Sequence, residues 1–197
     1  MTTVLLGTGN PHKLDELRQL LAGTGVAVLG LLDLPDYVEP VEDGATFEDN
    51  ALIKARAAAK VSGLPSLADD SGLSVDALGG MPGVLSARWS GRHGDDRANL
   101  DLVLAQLGDV PDPRRGAQFD CAAALVLPDG PELVLRASWR GAITREPRGT
   151  NGFGYDPIFV PDGETRTSAE LDPEAKNAVS HRGQAMRAIL PHLRALT

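Results

Sequence analysis

The sequence predicts an α/β fold on three observations. Short apolar runs of strand length alternate with stretches of helical period through residues 4–68. Two consecutive strand-like runs, 118–127 and 132–140, flank Pro128-Asp129-Gly130-Pro131, which reads as a hairpin turn. The C-terminal segment carries Met186, Ile189, Leu190, Leu193 and Leu196 on one helical face, with Pro191 placed to kink it. At 197 residues the chain is long enough for one sizeable core, or for one domain in two lobes.

Composition narrows the function classes. A hydrophobic content of 42% and a charged content of 23% are those of an ordinary globular protein. The formal net charge of −8 argues against binding a nucleic-acid polymer, whose phosphate backbone needs a basic surface. It leaves room for a small anion in a local basic pocket. The single Cys121 excludes an internal disulfide and a metal–thiolate cluster, so a buried free thiol is expected. No apolar run reaches the length of a membrane span and no signal peptide is read ahead of the first strand, so a cytoplasmic location without a membrane partner is expected. Of 19 basic residues only Lys13, Lys54, Lys60 and Lys176 are lysine, which hints at a need for compact ammonium charges where they occur.

Val4-Leu5-Leu6 reads as a buried strand running into Gly7-Thr8-Gly9-Asn10. Asn10 is a good N-cap and Pro11 suits a first helical position, after which Leu14, Leu17, Leu20 and Leu21 form a helical stripe that Gly23 can close. A strand, a glycine turn and a helix N-terminus direct backbone N–H groups at an anion, and Lys13 adds a full charge. The turn lacks the Gly-Lys-Ser/Thr ending of a Walker loop and the third glycine of a dinucleotide fingerprint, so a plain strand-to-helix turn stays open. Residues 26–34 are apolar enough for a second strand, and an acidic, proline-broken loop comes next over 36–44. Thr46 with Asp49 three residues on resembles a capping box, opening an Ala-rich helix over about 47–61 that carries Lys54 and Lys60. Glu42 is a candidate metal ligand or a solvated loop acid, and Lys54 a candidate phosphate ligand or an exposed helical lysine.

Gly63 ends this helix, and a strand over 64–68 delivers Asp69 and Asp70 to a Ser71-Gly72 turn. Adjacent acids repel, so burying them needs a metal or another cation, whereas solvating a turn needs nothing more. Asp76 reads as structural. Asp95 is placed to cap a helix carrying Leu100, Val103, Leu104 and Leu107, and a Pro-rich connector spans 110–115. Ala122, Ala123 and Ala124 permit close packing over the first hairpin strand. The loop 150–157 holds two of the eight aromatic residues, Phe153 and Tyr155, among glycines. A ring there can stack on a planar base or fold back onto the core. Residues 158–160 read as a buried strand. Asp172-Pro173-Glu174 opens a helical turn carrying Lys176, and His181 and Arg182 sit at the start of the last helix, where cations are disfavoured unless they face an anion or base edge.

Taken together these parts supply acids for a hard divalent cation, lysines for several phosphates and a ring for a base. Magnesium needs only one or two carboxylates beside substrate phosphate oxygens. A nearby carboxylate can take a proton from an attacking water while cations stabilise the leaving charge. The combination describes a nucleoside triphosphate hydrolase.

The segments TGNPHKLDEL, TFEDNALIKA, LADDSGLSVDALGGMPGVLSAR, TREPRGTNGFGYDPIF and SHRGQAM, in that order, resemble the XTP/dITP (inosine triphosphate) pyrophosphatase family across nearly the whole chain. The resemblance implies a single domain over 1–197, an α/β fold with a two-lobed, mixed, twisted β-sheet and flanking helices, with the active site in the cleft between lobes and a homodimer as the usual state. It implies Mg²⁺-dependent hydrolysis of the purine nucleoside triphosphates ITP, dITP and XTP to the monophosphate and pyrophosphate. By that resemblance Asp70 is the proton acceptor, and Glu42 and Asp70 hold magnesium with Asp69 close by. Thr8, Gly9, Asn10, Pro11, His12, Lys13, Lys54 and Ser71 meet the phosphates and sugar. Phe153, Gly154, Tyr155, Asp156, Lys176, His181 and Arg182 hold the nucleotide and its base. Val41 stands where some relatives carry a second acid, and Asn151 where glycine is frequent. A non-hydrolysing nucleotide-binding module and a phosphatase with an aspartyl nucleophile are the rival classes. The latter wants Asp-x-Asp after the first strand, where this chain has Thr8-Gly9-Asn10.

Overall fold

The computed structural model describes residues 2–9, 11–34 and 37–196. Strand β1 (Thr2–Leu6), helix α1 (Pro11–Leu21) and strand β2 (Val26–Gly30) open the chain. Helix α2 (Phe47–Ser62) leads to strand β3 (Ser66–Val75), and helix α3 (Asp96–Gln106) to strands β4 (Gly116–Val126) and β5 (Glu132–Ile143). A short β6 (Phe159–Pro161) and helices α4 (Pro173–Val179) and α5 (His181–Arg194) complete it. The six strands form one sheet in the order β2-β1-β3-β4-β5-β6. β1 runs parallel to β2, with Thr2 opposite Val26, and parallel to β3, with Leu5 opposite Ser66, whereas β5 and β6 are antiparallel. The fold is therefore α/β with a mixed sheet.

The chain divides into two compact units: Met1–Asp70 with Cys121–Ala137 and Gln184–Thr197, and Ser71–Asp120 with Ser138–Gly183. Each has its own core. In the first, Val4 and Leu6 of β1 pack with Leu17 and Leu21 of α1, Leu67, Ala123 and Leu125 of the sheet, and Ile189 and Leu193 of α5. Val4, Leu5 and Leu6 are all buried, as befits a parallel strand covered on both faces. In the second, Leu73 and Val75 of β3 pack with Leu100 and Val103 of α3 and with Phe119, Ile143 and Phe159.

Helix α2 is fixed at both ends. Thr46 Oγ1 accepts the Asp49 N–H at 3.1 Å and Asp49 Oδ2 accepts the Thr46 N–H at 3.1 Å, so the shorter Asp closes the box that Glu usually closes. At the other end Gly63, at φ 65°, donates its N–H to the Ala59 carbonyl. The alanine face lets the helix lie close on β1: a Cβ on Gly7 would meet Ala58 Cβ and Ala68 Cβ at 3.3 Å.

Three expectations change. β2 ends at Gly30 rather than running to 34, because Asp33 Oδ2 accepts the Gly30 N–H at 2.8 Å and winds Leu31–Asp33 into a 3-10 turn. The strand expected at 158–160 begins one residue later, since Asp156–Ile158 forms another such turn. The third change bears on function. Ser71-Gly72 is no turn: β3 runs unbroken for 10 residues, and Asp69 and Asp70 lie in mid-strand. Gly72 is there for closeness, since a Cβ would lie 2.5 Å from the Gly83 carbonyl oxygen and 2.4 Å from Ser86 Oγ. The proposed N-cap, Asn10, lies outside the described residues, while α1 begins at Pro11 as expected.

Gly72→Ala is accordingly expected to lower unfolding stability by about 1–3 kcal/mol, the range for overpacking a tight interior. Denaturant midpoints check this. A turn at Ser71-Gly72 would have tolerated the methyl group.

Candidate active site

In the first unit, five charged side chains from α1, α2, β3 and the loop before α2 converge with one amide. Asp69 in β3 is buried, and its Oδ2 receives Lys13 Nζ from α1 at 2.8 Å and the Cys121 thiol from β4 at 3.9 Å. Asp70, the next residue, is held from α2: Lys54 Nζ donates to Oδ1 at 2.9 Å and Asn50 Nδ2 to Oδ2 at 3.2 Å. Lys54 also reaches Glu42 Oε2 at 3.2 Å, and Asn50 Oδ1 accepts the Gly44 N–H at 2.9 Å. The adjacent-acid repulsion is thus relieved by giving each acid its own lysine.

Burial pushes the Asp70 carboxyl above its ordinary pKa, against the opposing pull of the Lys54 charge and of the hydrogen bonds from Lys54 and Asn50. Burial alone would drag Lys54 down, but the charges of Asp70, Asp69 and Glu42, with the hydrogen bond to Asp70, hold its ammonium above the ordinary value. A carboxylate that holds protons more tightly than usual beside a permanently charged ammonium is a serviceable proton acceptor.

The glycine turn after β1 also lies in this unit. Gly7 donates its N–H to the Leu67 carbonyl at 2.7 Å and Thr8 to that of Leu6 at 2.9 Å. Pro11 and His12 form the first turn of α1; their side chains, and the whole of Asn10, lie outside the described residues. Among the described residues no group of three or more His, Cys, Asp or Glu is arranged to hold a metal by itself.

The second unit gathers the other half of the sequence-derived set around Phe153, whose ring is 50% exposed. Lys176 Nζ and the Arg182 guanidinium each lie 5.6 Å from its centroid, within cation–π range. Arg182 also donates to Ser71 Oγ at 3.0 Å. The His181 ring stacks on Phe119, with centroids 4.9 Å apart and planes 10° from parallel. Asp156 is buried and works inside the loop: it accepts the Phe153 N–H at 2.9 Å, Ser168 Oγ at 2.8 Å and Lys176 Nζ. Tyr155 is buried too, donating its hydroxyl to the Ser86 carbonyl at 2.8 Å, so that burial raises its pKa. Gly154 donates its N–H to Asp96 Oδ2 at 2.9 Å. Of this group Phe153 is exposed, Lys176 is half-buried and His181 and Arg182 are buried, while Tyr155 and Asp156 are buried within the loop that carries Phe153. Asp76, read as structural, pairs with Arg140 at 2.8 Å.

Three participants escaped the sequence reading. Asn50 left one signal, a polar residue four positions before Lys54 in an otherwise Ala-rich helix. Ser168 and Phe119 left none, because only chain folding brings them to Asp156 and His181.

Residues 4–192 match the model of the Ham1 family. The chain belongs to the Ham1 family. Relatives include the dITP/XTP pyrophosphatase of Mycobacteroides abscessus, 61% identical over 196 residues, covering 98% of this chain and 95% of that one. That of Nocardia farcinica is 61% identical over 199 residues, covering 100% and 97%. Among solved structures, a HAM1 protein from Coxiella burnetii superposes with a TM-score of 0.92 at 44% identity, covering 98% of each chain. This Ham1-family chain thus shares its α/β architecture with a solved member across nearly its full length.

The raised pKa of Asp70 sets a stability expectation. Its folded-state value exceeds the unfolded one, so ionising it costs stability as pH rises from about 4, the unperturbed carboxylate value, through the folded value. Asp70→Asn is expected to melt at or above the wild-type temperature at neutral pH, with the gap closing below pH ~4. Thermal scans across pH check this. A variant clearly less stable at neutral pH would show that the Lys54 pair outweighs the burial cost.

Proposed function

We propose that this chain hydrolyses the purine nucleoside triphosphates ITP, dITP and XTP to the nucleoside monophosphate and pyrophosphate, and so clears them from the nucleotide pool. The observation that carries the reading is Asp70, a partly buried carboxylate of raised proton affinity clamped by Lys54 and Asn50. Relatives at 61% identity that bear the name dITP/XTP pyrophosphatase support it.

In this reading water approaches the phosphorus that becomes the monophosphate, and Asp70 takes its proton. The leaving pyrophosphate carries the developing charge, which Lys13, Lys54 and the backbone N–H groups of the glycine turn offset. Ser71 adds a hydroxyl toward the phosphates and sugar.

The donor set fits a magnesium ion. Glu42 and Asp70 already hold one cation, the Lys54 ammonium, at 3.2 and 2.9 Å, and the charge of nearby Asp69 acts on the same ammonium. Glu42 and Asp70 are the residues that would hold Mg²⁺, which when bound supplies charge stabilisation on phosphate oxygens beyond what ammonium groups provide. The second acid that some relatives have at position 41 is absent, since Val41 stands there.

At the base end Phe153 offers a stacking face, and Lys176, His181 and Arg182 offer donors. Donors aimed at position 6 of a purine accept a keto oxygen and oppose an amino group, which favours hypoxanthine and xanthine over adenine. The same reading carries homodimeric assembly from the family resemblance and a cytoplasmic location from the sequence reading. No helix of the described residues is long and apolar enough to cross a membrane.

The deciding experiment incubates purified protein and Mg²⁺ with ITP, XTP, dITP, ATP and GTP and identifies the phosphate released. Pyrophosphate from the first three, with little from ATP or GTP, is expected. Orthophosphate as product, or equal rates on ATP, would overturn the reading. Asp70→Asn is expected to lose on the order of 10²–10⁴-fold in kcat while still binding nucleotide, the usual contribution of a positioned general base.

A further inference from the structure

Asn50 is the least expected residue in its helix. It sits one turn into α2, is 1% exposed, and faces inward in a stretch whose other buried positions are apolar. Asparagine is a poor helix former, and a buried primary amide is tolerated only when its hydrogen-bonding groups are satisfied. Both ends of this one are. Gly44 can only donate through its N–H, so the amide oxygen faces Gly44 and the amide nitrogen faces the Asp70 carboxylate, which can only accept. The amide orientation follows from its partners.

Two further features fit this arrangement. Lys54 stands four residues after Asn50, on the same helix face, and takes the other oxygen of Asp70. Two donors one turn apart on a rigid helix thus hold both oxygens of one carboxylate, fixing its plane. At the other end Gly44 is shaped to the amide: a Cβ there would lie 2.7 Å from Asn50 Oδ1, 2.6 Å from Asp49 Cβ and 3.0 Å from the Asn50 nitrogen. Gly44 stands two residues after Glu42, so the amide joins Asp70 to the loop that carries the second proposed metal-binding acid.

We propose that Asn50 is a positioning residue for the hydrolysis: its amide nitrogen sets the plane of the Asp70 carboxylate, and its oxygen anchors the Glu42 loop to the same point. The role rests on the reading of Asp70 as proton acceptor. It predicts a split between the two ends of one side chain. Asn50→Asp keeps an acceptor for Gly44 but removes the neutral donor at Asp70. Its kcat is expected to fall on the order of 10- to 100-fold, the scale of a misplaced reacting group, with KM within about threefold and a lower melting temperature at neutral pH, since a second carboxylate then faces Asp70. Asn50→Leu removes both ends, so its kcat is expected to fall and its KM to rise together.

The test measures kcat and KM on ITP, melting temperature, and binding of inosine monophosphate by calorimetry, for wild type, N50D, N50L, D70N and the N50D/D70N double variant. If Asn50 acts through Asp70, N50D costs nothing further once Asp70 is Asn, so the double variant matches D70N in residual rate. Monophosphate binding in N50D is expected to stay within about twofold of wild type, since only the plane of Asp70 is disturbed. A wild-type kcat in N50D, or an N50D loss that multiplies fully onto D70N, overturns the proposal and leaves the reading of Asp70 intact. Full turnover in D70N overturns both.

Discussion

Lys54 is the charge on which the first unit depends. Asp70, Glu42 and Asp69 all act on it, and its side chain is only 14% exposed. Buried charges are tolerated only when paired and hydrogen-bonded, and without the lysine the three acids would lose the cation they share. The lysine occupies this position where α2 packs against the chain just after β1, with Ala58 on one side and Gly7 on the other. A larger residue at Ala58 or Gly7 would lift the helix and carry Lys54 away from the acids. The small-residue face of α2 and the charge cluster are therefore one construction.

The second unit solves a different problem, how to present an exposed aromatic ring from a glycine-rich loop without letting the loop wander. Asp156 does this from within. Its carboxylate ties the Phe153 amide, Ser168 and Lys176 to one point, and Gly152 leaves room for it, since a Cβ there would collide with that carboxylate. Gly149 plays a similar part, packing against the Ala169 backbone, while Asn151 donates its N–H to the Ala169 carbonyl. The loop is thereby a folded element with a rigid base, which reduces the ordering entropy that capture of a ligand would cost.

Much of the fold was legible along the chain. Strand and helix signals are local, so the alternation through α2, the Thr46 capping box and the caps at Asp95 and Asp172 could be read from spacing alone. The misread segments were those where a local signal has two physical causes. Ser71-Gly72 resembles a turn because glycine and serine favour turns, but glycine also permits close approach, and here the Gly83 carbonyl decides between the two. Likewise 31–34 has the apolarity of a strand, yet a side-chain bond from Asp33 to the chain three residues back ends it.

The sequence by itself determined which charges and rings the molecule would have, in what order, and the family to which that order belongs. Residue type and spacing are properties of the chain, and they suffice for the lysines, the acids and the aromatic loop. Only the tertiary structure decided how the acids are divided: Asp69 to Lys13 and Cys121, Asp70 to Lys54 and Asn50. Only it showed Tyr155 and Asp156 buried and hydrogen-bonded within the protein. The reason is geometric. Side chains of successive strand residues point to opposite faces, so neighbours in sequence such as Asp69 and Asp70 meet different partners, and those partners lie as many as 56 positions away in the chain.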